Sequence, residues 1–186
     1  MAITKTQIIS MAFELLGNAQ IMSLNPESNP HHASASRFYD QELKNILTMH
    51  PWRFAMKTRD LIADFDDPTN ERWRYKYVIP LDVLSIYKVN VFGYTIFDDR
   101  IYANVNSLQI DCLEEVSTDK FPPYFVTLLV YRLAELLSLK ITQKTDLAKY
   151  WSAKADQQYI RARTIDINQV PSQVVSYDPI YSAHFV

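Results

Sequence analysis

Several side chains in this 186-residue chain could do chemistry, and each meets an obstacle in its spacing. His31 and His32 stand side by side where a helical pattern starts. Helix neighbours point about 100° apart, whereas a shared metal wants histidines four residues apart on one face. The pair reads as a solvated first turn. Asp64, Asp66 and Asp67 crowd one stretch, DFDDPTNE, but it lacks the glycine and the ligand pattern of a calcium loop. An acidic loop is the reading. His50 reads as a helix-end residue favoured by the C-terminal dipole. Asp98-Asp99 and Glu114-Glu115 offer carboxylate pairs for hydrolysis, with no supporting motif beside them. Cys112 falls inside a strand pattern without a His partner, and no GxSxG occurs. The expectation is a chain without catalytic, metal or cofactor residues: not an enzyme.

The elements that would position these groups follow from periodicity. Phe125, Leu128, Leu129, Leu133, Leu136 and Leu137 recur at steps of three and four within the longest apolar run, Phe121 to Ile141. Pro122 and Pro123 suit a first helical turn. Arg132 and Glu135 sit mid-run, and a charge at a bilayer centre costs roughly 2.5–3.5 kcal/mol, so a buried central helix is expected and a membrane span is not. A first helix spans 4–16, with Thr4 and Gln7 as a capping box, Gly17 as C-cap, and Ile8, Met11, Ala12, Leu15 and Leu16 inward. A second spans 30–50, capped by Asn29, with Ala35, Phe38, Tyr39, Ile46, Leu47 and Met49 inward. The fourth spans 145–165, with Leu147, Tyr150, Trp151, Ala155, Tyr159 and Ala162 inward.

Between helices two and three, over about 52–115, the pattern turns to period two. Trp52, Phe54 and Met56 alternate with Arg53, Ala55 and Lys57, then Trp73, Tyr75 and Tyr77 with Arg72, Arg74 and Lys76. Strands follow over Leu84–Phe92, Tyr94–Phe97, Arg100–Ala103 and Leu108–Leu113, with a turn at Asp98-Asp99. The fold class expected is α+β: a four-helix core with a small antiparallel β-meander inserted between helices two and three, one domain over 1–168. Residues 169–186 hold Pro171 and Pro179 and little periodicity, and read as an extended tail.

Composition narrows function further. Net charge is −2, which gives no global reason for tight binding to nucleic acid or an acidic membrane. Two glycines, Gly17 and Gly93, where about 7% of residues would be usual, exclude glycine-rich phosphate loops and dinucleotide fingerprints. A single Cys allows no internal disulfide, and no basic and apolar leader opens the chain, so folding in a reducing cytoplasm is expected. Twelve Tyr, nine Phe and three Trp exceed what a core alone needs, and such residues favour interfaces.

Phrases in a fixed order carry a resemblance. They are LLG closing helix one, SLNPE, HPWRFA after helix two, YVIPLDVLSIYKV, IFDDRIYAN, LQIDCLEE, FPPYFVTLLVYRLAELLSLKITQ and RARTID. Over residues 3–168 the chain resembles the adaptor proteins of short-tailed bacteriophages, a family also called tail tubular protein A or the head-to-tail gatekeeper. The resemblance implies a structural virion protein at the portal vertex, made in the host cytoplasm. It implies a ring of about twelve copies between the portal protein and the tail nozzle, with duplex DNA passing through the bore without sequence-specific binding. The alternative is a small helical protein-binding or regulatory module without ring assembly.

Three surfaces are candidates for contact. Val170, Val174, Val175, Tyr177, Tyr181 and Phe185 would expose much apolar area in water, so the tail is expected to order on a neighbouring copy or in the portal. Asp98, Asp99 and Arg100 are expected on a hairpin projecting toward the tail side. Lys140 to Ile165 carries six cations against Asp146 and Asp156, a local +4, read as a solvated face or a surface for an acidic partner.

Overall fold

The computed structural model describes residues 3–21, 23–24, 30–64 and 72–169. Asn29, Asp66, Asp67 and the tail candidates Val170, Val174, Val175, Tyr177, Tyr181 and Phe185 lie outside these residues. The element order is α+β, with four helices and an all-antiparallel β layer between the second and third among the described residues.

Helix α1, Lys5–Leu15, starts on the expected capping box: Gln7 N–H donates to Thr4 Oγ1 at 3.2 Å, and Thr4 N–H to Gln7 Oε1 at 2.8 Å. Gly17, at φ +77°, ends it, a left-handed value that favours glycine. The buried face is Ile8, Ile9, Ala12 and Phe13, whereas Met11 and Leu15, expected inward, are 45% and 39% exposed. Apolar residues cover more than half of the circumference of this helix, so its packing against α2 and α3, not its period, chooses the inward arc.

Helix α2, Pro30–Met49, buries Ala35, Tyr39, Leu43, Ile46 and Leu47, while Met49 turns outward. The alternation at Trp52 does not make a strand. The chain instead forms a single 3-10 turn at Arg53–Ala55. Trp52 is fully buried among the helices, and its indole N–H donates to Ile46 O at 2.8 Å. Burying the largest side chain with its N–H satisfied outweighs the period-two pattern.

The β layer is not a meander. Strands β1 (Met56–Leu61), β4 (Val83–Val89) and β7 (Leu108–Glu114) form one sheet in the order β1-β7-β4. Strands β2 (Ala63–Asp64), β3 (Tyr75–Val78), β5 (Tyr94–Phe97) and β6 (Arg100–Ala103) form a second in the order β2-β3-β6-β5. The inward faces explain the split. Leu108, Ile110 and Cys112 of β7 share a core with Tyr77, Ile101 and Ala103 of the second sheet. Leu113, next along β7, instead joins the helical core with Phe125 and Leu129. Central β7 thus faces both cores, and its pairing with β1 and β4, neither of them next to it in the chain, departs from the order of a meander.

Helix α3, Pro123–Ile141, begins behind Pro122 as expected and buries Phe125, Leu128, Leu129, Leu133, Ala134 and Leu137 almost completely. It packs most extensively on α4, Thr145–Ile167. Arg132 ties the pair, reaching Glu135 at 2.9 Å and Asp156 of α4 at 2.7 Å. Two expectations for α4 are corrected. Tyr150 is 52% exposed, and the helix continues past 165 through Asp166, which is buried.

Candidate functional site

The carboxylates singled out in the sequence are placed apart. Glu114, at the end of β7, is buried and hydrogen-bonded by Lys57 and Arg59 of β1; Arg59 also reaches Asp82 at 2.6 Å. The Arg59 hydrogen bond above all, with Lys57 adding to it, holds the Glu114 carboxyl below the usual range against the effect of burial. Glu115, just past the end of β7, is exposed and lies 3.8 Å from Lys44 of α2. The two carboxylates thus engage separate partners, Lys57 and Arg59 for one and Lys44 for the other.

Asp98 and Asp99 form the tip of the β5–β6 hairpin, with φ of 44° and 58°. Both values belong to a two-residue type I′ turn, where aspartate is tolerated. Their placement answers the turn's backbone demand. Arg100 follows as the first residue of β6 and is half-buried. Asp64 is engaged by Lys76 at 3.3 Å, a lysine only 3% exposed. His31 and His32 lie in the first turns of α2, with the His32 ring edge-on to Phe13. Among the described residues, no group of three His, Cys, Asp or Glu could hold a metal ion. Cys112 is fully buried, and burial, followed by the Glu114 charge, pushes its thiol up. A nucleophilic cysteine needs the opposite shift.

The densest polar cluster among the described residues is one that sequence reasoning missed. Asp166, 1% exposed, accepts from the Tyr124 hydroxyl at 2.8 Å and the Arg53 backbone N–H at 3.3 Å, and His50 Nε2 lies 3.3 Å from it. Arg53 Nε also donates to the Asp166 carbonyl at 3.1 Å. The His50 ring packs edge-on to Trp52 at 4.8 Å. Burial holds His50 below its ordinary value, with Asp166 pulling part of the way back. An Asp–His pair could orient a base. Here the hydroxyl beside it, Tyr124, donates to Asp166 itself rather than to His50, and its own proton is held more tightly by burial and by that bond. The arrangement therefore ties together the end of α2, the entry to β1, the start of α3 and the end of α4. A signal was available: Asp166 continues the inward series Trp151, Ala155 and Ala162. An acid on an apolar stripe marks a buried polar contact.

The cations of α4 do not form one stripe. At about 100° per residue, Lys149 and Arg163 fall on one side of its exposed arc and Lys154 and Arg161 on the other. Lys154 lies over the Tyr150 ring at 5.7 Å and Arg163 over the Tyr159 ring at 5.6 Å. Lys140 donates to Ser34 at 2.6 Å.

What stands out at the surface is apolar. Among the described residues, the three most exposed large apolar side chains all lie in the connections between strands of the β layer: Phe92 at 106%, Leu81 at 101% and Ile62 at 87%. Tyr87, Phe97 and Val78 of the strands are above one-half, as are Leu139 of α3 and Tyr150 and Ile160 of α4. No helix among the described residues is long and apolar enough to cross a membrane. Compared with known proteins, the chain matches no family model and no curated sequence.

Proposed function

We propose that this chain is a structural subunit of a head-to-tail adaptor ring that joins a portal protein to a tail nozzle in a short-tailed phage virion. On this reading it works with its own copies, the portal and the nozzle. It lines part of a channel for DNA without gripping it and performs no catalysis. The observation that carries the reading is the exposed apolar set of the β layer, led by Phe92, Leu81 and Ile62, which are more exposed than any large apolar side chain of the described helices. Apolar surface left in water marks a protein contact. The ordered phrases from LLG to RARTID supply which contact it is. The scattered cations of α4 fit a surface that does not hold phosphate in register.

The test is mass photometry and negative-stain imaging of the purified chain, alone and mixed with the portal protein of the same genome. The expected result is a small species alone and a ring on the portal. A chain that ignores the portal overturns the adaptor reading in favour of a protein-binding or regulatory module.

A further inference from the structure

Among the described residues, the β layer ends in four strand edges, two for each sheet. An edge invites another strand unless charge, shortness or a bulge discourages pairing. β1 carries Lys57, Arg59 and Asp60 along its six residues. β2 is two residues long. β4 carries Lys88, and its register against β7 shifts twice. β5, Tyr94-Thr95-Ile96-Phe97, has no charge, no proline and no register shift. It consists only of aromatic and β-branched residues, the strongest strand formers.

The hairpin geometry tells which atoms of β5 face outward. With Asp98 and Asp99 as a two-residue turn, Phe97–Arg100 and then Thr95–Tyr102 are the hydrogen-bonded pairs. The N–H and C=O groups of Tyr94 and Ile96 therefore point away from β6. Their side chains lie opposite Ala103 and Ile101, both fully buried, yet Tyr94 and Ile96 are each 43% exposed. The apolar face continues past the place where the sheet stops. One more strand would complete both the ladder and that face.

We propose that β5 accepts an added strand from a second copy of this chain, supplied by residues 173–177, Gln-Val-Val-Ser-Tyr. The proposal deepens the ring reading and rests on it only for the expectation that copies meet. Pro171 and Pro179 bracket this segment, which confines a strand to the residues between them, enough to cover the four of β5. Val174, Val175 and Tyr177 are strand formers, and the segment carries no charge. From Gln169 to Gln173 an extended chain spans about 14 Å. Within one copy, Asp166 lies against the helical core at Tyr124 and His50, and the second sheet shares its core with the first sheet rather than with the helices. So short a leash suits a neighbour whose β5 is brought to the end of α4. Such a contact joins two different surfaces, the kind that generates rings.

Amide exchange of the full-length chain, followed by NMR over a wide concentration range, tests this. Expected is exchange at Tyr94 and Ile96 that slows about tenfold as concentration rises, together with residues 173–177. Ile96→Pro removes an outward N–H and leaves the β5–β6 hydrogen bonds in place. Val175→Pro breaks the donated segment. Each should abolish the effect while Tyr77 and Ile101 stay protected, which shows the sheet intact. Protection independent of concentration means a strand from the same copy and overturns the proposal. Protection that survives Val175→Pro means another occupant and overturns it too, as does no protection at any concentration. Ring formation on the portal is read separately. Rings from Ile96→Pro would overturn strand exchange alone, and strand exchange without rings would overturn the adaptor reading alone.

Discussion

The Tyr124 hydroxyl donates to Asp166 at 2.8 Å, joining the first turn of α3 to the last turn of α4 across 42 residues of chain. The same carboxylate receives the Arg53 N–H, so the entry to the β layer hangs on the end of α4. Tyr124→Phe removes one bond to a buried charge and should cost about 1–2 kcal/mol. Asp166→Ala leaves the Arg53 N–H and His50 without their acceptor and should cost about 3 kcal/mol. Urea unfolding measures both, and an Asp166→Ala chain as stable as the parent would show the cluster to be incidental.

Trp52 gives a second prediction. It is fully buried, with Phe125 edge-on at 5.3 Å and Tyr159 edge-on at 6.3 Å. Trp52→Ala should cost about 3–5 kcal/mol. Trp52→Phe keeps much of the packing but strips the Ile46 carbonyl of its donor, at about 1–2 kcal/mol. Thermal or urea unfolding of the two variants separates packing from hydrogen bonding.

Acid should destabilise the fold in two windows. Burial keeps His50 below its ordinary 6.5 in the folded chain, so the unfolded chain takes its proton first. That contribution is complete above the ordinary value and is lost as pH falls through the folded one. Arg59 and Lys57 hold Glu114 below its ordinary 4.5, so its contribution is present above that value and lost as pH falls further. Stability measured by urea against pH should therefore drop in two limbs. His50→Gln should flatten the upper limb and Glu114→Gln the lower one.

The Asp98-Asp99 turn holds two left-handed residues without a glycine. Asp98→Asn together with Asp99→Gly should stabilise the hairpin by about 0.5–1 kcal/mol. Asp99→Val should cost about 1–2 kcal/mol, because a β-branched residue resists positive φ. Melting temperature reads both, and a penalty near zero for Asp99→Val would mean that the turn relaxes to another type.

Local features were legible in the order of residues. The Thr4–Gln7 cap, the Gly17 stop, the Pro122-Pro123 start of α3 and the Tyr94–Ala103 hairpin depend on dihedral preference and contacts a few residues long. Other features belong to the tertiary structure. Met11 and Leu15 face water because α1 has apolar residues on several sides and its neighbours bury one arc. Trp52 leaves the strand pattern because the helical core offers it the Ile46 carbonyl. β7 lies between β1 and β4, a pairing of segments distant in the chain that no local alternation can encode. Asp166 reads locally as a residue beyond the end of helix four; α3 and the turn after Trp52 bring it Tyr124 and Arg53 and make it a buried acceptor. Caps and turns act over a few bonds, so the sequence by itself determines them; strand order and buried polar contacts join distant segments, and only the packing of the whole chain decides those.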